Sequence, residues 1–380
     1  MNLLINFSTL KVGGGQNVAM NFLSKIFEVF LDDVNLFFIV AKNSEPHKYL
    51  KEINYKNFIV VSNNPIKRIF FENFESKEIL KLWNIDIIYT YFGYGLFPKN
   101  YIQVSGVAVS NVFFPEINFW DYYPFHKKFV KKLIDKYRIY GIKKANALIF
   151  ENKTMENRCK QFKWNYHTTF IKPSIINYKN SKYENSIQWD FIKSDIPKGL
   201  FLCGWHLNKN VLIIPKIAKI LKNKNIKYKF IITAGNKKGN FIYERFKQLI
   251  SEYHVNDYIE IIEPVKKSQL KFLYENIQHV FLLSKLESFS NNIIEAWFFE
   301  KPLIITDALW SKDICNNAAL FVDRDKEESI TSGIIKLIND SNFTKSLINE
   351  GKKELSTYPT IEQKILLEIN FIKEVYEKKS

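Results

Sequence analysis

The chain has 380 residues, of which 46% are hydrophobic and 25% charged; this composition excludes disorder as the main state, and the length favours two domains. The formal net charge of +16 indicates an anionic partner: a nucleic acid, an anionic lipid or a phosphorylated small molecule. The odd number of cysteines (Cys159, Cys203 and Cys315) without CxxC spacing argues against a disulfide framework or a structural zinc site and favours a cytoplasmic protein.

In chain order, the first half alternates short β-rich runs with longer helical patterns. This alternation predicts an α/β protein with parallel sheets. The predicted strands cover residues 3–7, 36–40, 58–61, 85–90, 102–107 and 147–150, and helices are predicted over 17–30 and 76–83. The opening residues resemble a first strand rather than a signal peptide. No uninterrupted apolar run reaches the roughly 18 residues that a membrane span needs.

A glycine run, Gly13-Gly14-Gly15, follows the first predicted strand and opens a helix. Glycines at such a turn permit close approach of the backbone to a ligand. The run matches neither GxGxxG nor GxxxxGK[ST], which argues against a dinucleotide site and against a P-loop. A tight turn without a ligand and a loop that closes over phosphates both remain open.

A basic amphipathic helix is predicted over residues 125–138, where Phe125, Phe129, Leu133 and Tyr137 recur every four positions. Such a helix is typical of proteins that rest on an anionic membrane surface. The alternative is an ordinary amphipathic helix whose apolar face packs on the first sheet, with its lysines solvated. The candidate membrane-surface residues are Lys127, Lys128, Lys131 and Lys132.

A polar stretch at residues 178–185, closed by Pro197-Lys198-Gly199, predicts an interdomain linker over 178–198. A second alternation follows, with predicted strands at 199–203, 228–234, 258–262, 279–283, 303–306 and 319–322. The helices between them are predicted at 211–222, 241–252, 267–275, 292–299 and 326–339, and a last amphipathic helix at 361–377. Two successive parallel-sheet domains form a cleft, and ligands of such sheets sit beyond the carboxyl ends of the strands.

The segment 283–296 says the most about function. A predicted strand ends there in a short polar loop, and a helix begins around residues 290–292. The amides and the macrodipole of a helix start bind anions. Glu295, about one turn into the helix, can accept two hydroxyls of a ribose, and Glu287 on the loop can face another hydroxylated group. This pattern predicts a site for a nucleotide diphosphate carrying a sugar, although such a pair also arises from a loop residue and a solvated helix face.

The same segment resembles the signature of the retaining GT-B glycosyltransferases of family 4, the glycosyl transferases group 1, in which a Glu-x7-Glu motif precedes a Pro-led strand. Gly13-Gly14-Gly15 is similar to that family's first glycine-rich loop, residues 204–210 resemble its second phosphate loop, and residues 317–323 resemble the segment after the nucleotide site. The resemblance implies two Rossmann-like parallel-sheet domains facing a cleft. Residues 1–180 would form the acceptor side and 195–360 the nucleotide-sugar side, with 361–380 packing back on the first domain.

The resemblance also implies a role for each matching residue. Glu295 would bind the ribose, and Glu287, the catalytic residue, would touch hydroxyls of the donor sugar. Lys209 would set a positive charge against the leaving phosphates, and the backbone around Val265 would meet the base. The remaining donor-binding positions would surround the phosphates through glycines, a small side chain and backbone amides: Gly14, Gly15, Ser288, Phe289, Ser290, Asn291 and Asn292.

Two positions depart from the family pattern. The residue after the loop glycine is usually Arg but is Trp205 here, so half of the phosphate clamp is missing; Lys237 or Lys238 would have to supply that charge. Where relatives often carry a His, this chain has Ser110 and Asn111, and neither is a general base. The expected reaction is therefore front-face attack, with the leaving phosphate accepting the proton of the acceptor.

The motif Asp323-Arg324-Asp325 has the DxD spacing that binds a metal in other glycosyltransferases. Here it follows a predicted strand at a position where the resemblance implies a surface turn. We therefore expect transfer without a metal or other cofactor, with the phosphate charge met by helix amides and Lys209.

The leading functional hypothesis is a cytoplasmic glycosyltransferase, peripheral on the inner face of the plasma membrane. It would transfer a sugar with retention from a nucleotide-diphosphate sugar to a lipid-linked, lipopolysaccharide- or capsule-type glycan. A catalytically silent nucleotide-sugar-binding or scaffold protein is the alternative, which Trp205 favours. An epimerase would need acid/base residues that the sequence does not place. No nucleic-acid-binding pattern occurs, so no nucleic-acid partner is expected. The Lys-, Asn- and Ile-rich usage is consistent with a bacterial source.

Overall fold

The computed structural model describes residues 1–11, 14–29, 31, 33–93, 97–175 and 189–378. The chain divides into two compact units, each with its own parallel sheet. Unit 1 contains Met1–Ile176 and Tyr358–Ser380, and unit 2 contains Asn177–Thr357. Most of the predicted linker, residues 178–188, lies outside the described residues, as do Gly13 and the end of the predicted helix at Phe30.

Unit 1 has a seven-stranded sheet of order β3-β2-β1-β4-β5-β6-β7. The strands are β1 (Asn2–Phe7), β2 (Asn35–Ala41), β3 (Phe58–Val61), β4 (Ile87–Thr90), β5 (Ile102–Val107), β6 (Ala147–Phe150) and β7 (Thr168–Phe170). The helices are α1 (Gly14–Ile26), α2 (Glu45–Glu52), α3 (Pro65–Phe70), a π-helical turn (Phe71–Glu75), α4 (Ser76–Leu82), α5 (Phe125–Lys144), α6 (Lys153–Gln161) and, from the chain end, α14 (Ile361–Glu377).

Both faces of the unit 1 sheet are covered, which explains why its inner strands are apolar throughout. Side chains of a strand alternate between the faces. Ile5 of β1 joins the core beneath α1 and α14, whereas Leu4 joins the core beneath α4. A continuous apolar run such as that of β1 is therefore buried on both sides.

The last helix, α14, is fixed to unit 1 by buried charges. The Lys364 ammonium donates to the carboxylate of Glu151, which follows β6, and lies 3.4 Å from a carboxylate oxygen of Glu368. It also donates to the Tyr91 hydroxyl beyond β4, at 3.3 Å. Burial raises the pKa of Glu368 to about 7, against the opposing charge of Lys364. This cluster ties α14 to the carboxyl edge of the first sheet.

Unit 2 has a six-stranded parallel sheet of order β10-β9-β8-β11-β12-β13. The strands are β8 (Lys198–Phe201), β9 (Lys229–Ile232), β10 (Ile259–Ile261), β11 (His279–Leu282), β12 (Leu303–Thr306) and β13 (Leu320–Val322). The helices are α7 (Ile214–Asn223), α8 (Phe241–Glu252), α9 (Leu270–Glu275), α10 (Asn291–Phe298), α11 (Leu309–Cys315), α12 (Glu327–Asn339) and α13 (Ser341–Ser356).

The predicted α/β class with parallel sheets is confirmed, and the predicted strands recur with small shifts at their ends. The linker prediction was wrong at its end, because Asp190–Lys193 forms a 3-10 helix and Lys198 is a buried residue of β8. Lys198 tolerates burial because its ammonium reaches the carbonyl of Ser194 at 2.5 Å. Strand β7 and helices α2, α3, α6, α11 and α13, whose apolar patterns are short or weak, were not predicted from the sequence.

The predicted basic helix is present as α5, which runs past residue 138 to Lys144. Its apolar stripe does not pack on the sheet: Phe125, Phe129 and Leu133 are 86%, 58% and 48% exposed. The residues of α5 that are buried are Gly141 and Ile142, at its end. None of the described helices combines the length and the apolarity of a membrane span.

Candidate functional site

The candidate site lies where the strand order of unit 2 reverses. From β8 the chain proceeds outward to β9 and β10, and it then returns to the other side of β8 with β11. Connections above two such neighbouring strands diverge, which leaves a crevice beyond their carboxyl ends. The loop after β8 contains residues 202–210 and the loop after β11 contains residues 283–290, so both predicted phosphate-side segments meet here.

Asn208 joins these two loops. Its side-chain amide donates to the carbonyl of Leu286 at 2.9 Å, and its side-chain oxygen accepts from the Leu286 amide at 3.1 Å. The Lys285 amide donates to the backbone carbonyl of Asn208 at 2.8 Å. Three hydrogen bonds, with the Asn208 side chain buried, hold the neighbouring residues Lys209 and Glu287 in register.

Lys209 and Glu287 form an ion pair with an N–O distance of 2.6 Å. Their side chains are 26% and 17% exposed, so the pair is partly desolvated yet open to a ligand. Lys209 ends a short 3-10 helix, Leu207–Lys209, and Asn210 after it has φ +57°, the left-handed conformation that asparagine tolerates. The loop thereby turns the lysine toward the segment after β11.

The start of α10 carries the predicted phosphate-binding amides. Ser290, its N-cap residue, makes no side-chain capping hydrogen bond, although serine at this position usually satisfies a helix amide. Asn292 turns its side chain away from the helix start and donates to the carbonyl of Leu202 at 3.0 Å. The helix start is thus held against the end of β8, with Ser288, Phe289 and Asn291 half-buried beside it.

Glu295 is buried, with 5% of its surface exposed. Its Oε2 accepts a hydrogen bond from the Tyr274 hydroxyl at 3.0 Å. The carboxylate therefore does not belong to a solvated helix face, which was the alternative reading of the sequence. Tyr274, on α9, was missed by the sequence reading because a tyrosine at helical spacing resembles any core residue.

Trp205 is a core residue of unit 2. Its indole N–H donates to the carbonyl of Gly235 at 2.8 Å, and its ring packs against Tyr243 and Phe246 at centroid distances of 5.2 and 5.1 Å. The departure from the family pattern thus replaces a charge by a packing contact. The two lysines considered as substitutes, Lys237 and Lys238, are exposed in the loop before α8.

The remaining predicted donor positions are further apart in the sequence. Val265, in the loop after β10, is half-buried at the same edge of the unit 2 sheet. Gly14 and Gly15 open α1 in unit 1, at the reversal point between β1 and β4. A Cβ at Gly14 would meet no neighbour within 4 Å, so packing in unit 1 does not require a glycine there.

The DxD motif and Asn111, both considered in the sequence analysis, form hydrogen bonds with nearby residues. Asp323 of the DxD motif pairs with Lys326 at 3.0 Å and accepts from the Asp325 amide at 3.1 Å, and the Lys326 hydrogen bond lowers the pKa of Asp323. No group of three or more potential metal ligands occurs among the residues that the structure describes. Asn111 donates to Asp135 of α5 at 2.8 Å, which connects the segment after β5 to that helix.

The four candidate membrane-surface lysines of α5 do not share one environment. Lys128 pairs with Asp121, and Lys131 lies over the ring of Trp120 at 5.1 Å. Lys127 and Lys132 are exposed. The helix therefore presents lysines beside an exposed apolar stripe.

Comparison with solved structures identifies the class of fold. The chain resembles sucrose-phosphate synthase from Thermosynechococcus elongatus with a TM-score of 0.74 over 100% of both chains, at 14% identity. It resembles Anabaena HepE in complex with UDP and glucose with a TM-score of 0.68 over 100% of this chain and 99% of the other, at 12% identity. The protein has the GT-B fold of two parallel-sheet α/β domains, as predicted.

The sequence comparisons agree with this class of fold. Residues 200–354, which contain the candidate site, match the family model described as glycosyl transferases group 1. A relative from Campylobacter jejuni, the GalNAc-alpha-(1->4)-GalNAc-alpha-(1->3)-diNAcBac-PP-undecaprenol alpha-1,4-N-acetyl-D-galactosaminyltransferase, is 27% identical over 219 residues. The O-antigen chain mannosyltransferase of Salmonella typhimurium is 24% identical over 220 residues. Each match spans 56% of this chain and 56% of the relative.

Proposed function

We propose that this protein is a glycosyltransferase that transfers a sugar, with retention, from a nucleotide-diphosphate sugar to a lipid-linked, lipopolysaccharide- or capsule-type glycan. The observation that carries the proposal is the cluster at the strand reversal of unit 2, where the Lys209–Glu287 pair and the start of α10 are held together by Asn208. The names of the relatives support the acceptor class, because one acts on an undecaprenol-linked glycan and the other on an O-antigen chain.

In the proposed complex the pyrophosphate lies against the first amides of α10, where the helix dipole favours negative charge. Lys209 neutralises the charge that develops on the leaving phosphate. The buried Glu295 accepts ribose hydroxyls, and Glu287 accepts hydroxyls of the donor sugar. The UDP bound to Anabaena HepE makes uridine the first base to test.

In the proposed reaction, the bond between the anomeric carbon and the β-phosphate oxygen breaks. The acceptor hydroxyl oxygen bonds to the anomeric carbon on the face that the phosphate leaves. The hydroxyl proton passes to the departing phosphate oxygen, so no general base of the protein is required. The protein contributes position and charge stabilisation, and we expect the rate to be unchanged by EDTA.

Binding of the nucleotide is tested by thermal shift with UDP, GDP, ADP, dTDP and CMP compounds. One ligand should stabilise unit 2, and at 100 times its dissociation constant it should add about 2.7 kcal/mol. Glu295→Gln should abolish this shift, because the amide offers a ribose fewer acceptor positions. Glu328→Gln, an exposed change on α12, should keep it. A shift that survives Glu295→Gln unchanged would contradict the assigned ribose site.

Turnover separates the proposed enzyme from a silent nucleotide-sugar-binding protein of the same fold. With the nucleotide sugar that stabilises the protein, nucleotide release in the presence of membrane-extracted acceptor indicates transfer. The anomeric configuration of the new linkage, read by NMR, tests retention. Saturable binding of the nucleotide sugar without any release, in assays with several lipid-linked acceptors, would favour the silent protein.

We further propose that α5 rests on an anionic membrane surface. Its stripe of Phe125, Phe129 and Leu133 is exposed rather than packed, and lysines border it. Changing Lys127, Lys128, Lys131 and Lys132 to Glu should weaken flotation with anionic vesicles, because each basic residue near such a surface contributes about 1 kcal/mol. Unchanged flotation would show that the helix is structural.

A further inference from the structure

A cavity with a basic lining lies in unit 1, at the amino ends of strands β5 and β6. It has a volume of about 400 Å³, within the range of small-molecule sites. Gln103 near the start of β5 and Asn146 just before β6 line it, so it lies at the amino ends of these strands. The other lining residues are three lysines and two tyrosines: Lys99, Lys143, Lys144, Tyr101 and Tyr140.

The floor of this basic cavity is rigid. The Gln103 side chain is buried, and its amide donates to the Phe97 carbonyl at 3.0 Å while its oxygen accepts from the Phe97 amide at 3.2 Å. The backbone N–H of Gln103 donates to the side-chain oxygen of Asn146 at 2.7 Å. The Lys144 ammonium donates to the same Phe97 carbonyl at 2.7 Å. The position of Lys144 is therefore fixed by the fold.

The charges around the basic cavity have one sign. None of its seven lining residues is acidic, and three of them are lysines. Burial, and then the positive charge of Lys99, lower the pKa of Lys144. An anion bound between Lys99 and Lys144 would offset the repulsion between their positive charges.

The basic cavity opens on the exposed face of α5. At 3.6 residues per turn, Phe129, Leu133, Tyr140 and Lys143 fall within an arc of roughly 80° on that helix. Tyr140 is 54% exposed, so the apolar stripe proposed to meet the membrane continues to the rim of the cavity. A ligand in the cavity would lie beside any surface on which α5 rests.

We infer that the basic cavity binds the phosphate of an anionic lipid headgroup. Lys99, Lys143 and Lys144 supply ammonium donors, and Tyr101 and Tyr140 supply hydroxyls at the rim. A phosphate fits this set better than a carboxylate because it offers more acceptor oxygens to donors that approach from several sides. This inference rests on the membrane-surface role proposed for α5, and it adds a preference for phosphate over other anions.

The test compares vesicles of equal surface charge, one set containing phosphatidylglycerol and the other cholesteryl hemisuccinate, whose charge is a carboxylate. Flotation is measured for the wild type and for the triple variant Lys99→Gln, Lys143→Gln and Lys144→Gln. The matched control replaces three exposed lysines of unit 1 by Gln: Lys42, Lys51 and Lys56. Thermal unfolding confirms that both variants fold.

We expect the wild type to prefer phosphatidylglycerol vesicles. The cavity variant should lose roughly tenfold or more of its binding to them and should no longer distinguish the two vesicle types. The control variant should retain the preference. A preference that survives in the cavity variant would place the phosphate selectivity elsewhere in the protein, and an equal loss in both variants would show general charge attraction only. Either result would overturn the inference.

Glycerol 1-phosphate in solution distinguishes the source of the phosphate. If it saturates the cavity as tightly as vesicles do, a free phosphate is the ligand and the lipid assignment is wrong. Failure of the α5 proposal has a different outcome, namely no flotation with either anionic vesicle. Equal flotation with both vesicles would overturn only the cavity assignment.

Discussion

The two units each have a charged cluster at the carboxyl edge of their sheet. In unit 2, Lys209 and Glu287 form an ion pair whose side chains are 26% and 17% exposed. In unit 1, Lys364 contacts Glu151 and Glu368, and only 3% of its side chain is exposed. Both clusters follow parallel strands. In unit 1 the helix α14 supplies the lysine and covers the cluster. In unit 2 loops supply both partners and leave them accessible.

The carboxyl edge of the sheet therefore has a different role in each unit: stability in unit 1 and the proposed ligand binding in unit 2. A charged cluster sealed by a helix stabilises the fold, because removing one partner leaves a buried charge without compensation. A partly exposed ion pair contributes less to stability, and either side chain can exchange its partner for a ligand. Substitutions in unit 1 should therefore change unfolding, and substitutions in unit 2 should change binding.

The largest effect is expected from Lys364→Met. The change leaves Glu151 and Glu368 buried without their cation, which should lower the free energy of unfolding of unit 1 by about 3–5 kcal/mol. Urea unfolding followed by circular dichroism measures this loss. Lys373→Met, on the same helix and half-buried, should cost far less. Similar costs for the two variants would contradict the anchoring role of the cluster.

Glu287→Gln should lower activity strongly and stability little, the reverse of Lys364→Met. If Glu287 contacts the donor sugar in the transition state, kcat should fall by about 100- to 1000-fold. The midpoint of unfolding should stay close to that of the wild type, because the Lys209–Glu287 pair is partly exposed and not sealed by a helix. Nucleotide release and urea unfolding are measured on the same preparation, with Glu328→Gln as the control. If Glu287→Gln unfolds at a lower urea concentration but keeps its normal kcat, the pair is structural and the assigned role in binding is wrong.

The unit 1 cluster also predicts a pH dependence of stability. Burial raises the pKa of Glu368 to about 7, so the folded state holds a proton that the unfolded state releases nearer pH 4.5. Stability should therefore fall as the pH rises from about 4.5 to 7, by about 3 kcal/mol. Unfolding midpoints across this range measure the slope, and Glu368→Gln should flatten it. An identical slope in that variant would assign the dependence to another group.

The smallest effect concerns the stability of the unit 2 pair itself. A double-mutant cycle with Lys209→Met and Glu287→Gln should give a coupling in the free energy of unfolding below about 1 kcal/mol. Saturation with the stabilising nucleotide should change that coupling, because Lys209 then faces phosphates. A coupling of several kcal/mol without ligand would show that this pair stabilises the fold, as the Lys364 cluster of unit 1 does.

Much of the fold was readable from the sequence because its strands are short apolar runs between helical patterns. Strands β3, β5 and β6 were predicted with their observed bounds. Helix α13 and strand β7 were missed, since a mostly polar helix and a three-residue edge strand leave weak periodicity. Lys198 was placed in the linker, and the structure shows it as a buried strand residue whose amine reaches a backbone carbonyl.

The candidate site was readable in part. The motif containing Glu287 and Glu295 and the lysine at position 209 could be selected from the sequence alone. Asn208, which holds the two loops together, and Tyr274, which contacts Glu295, carry no pattern that distinguishes them from other polar loop or helix residues. Their partners lie 78 and 21 positions away, and only folding shows such contacts.

The sequence by itself determined the α/β class, the alternation that produces two parallel sheets, and the family resemblance of the segment that contains Glu287 and Glu295. These follow from local periodicity and from short motifs. The tertiary structure decided which charged residues are sealed and which are accessible, that Trp205 packs in a core, and that the apolar stripe of α5 is exposed. Burial depends on which distant segments cover a side chain, and that information is not present in any short stretch of the chain.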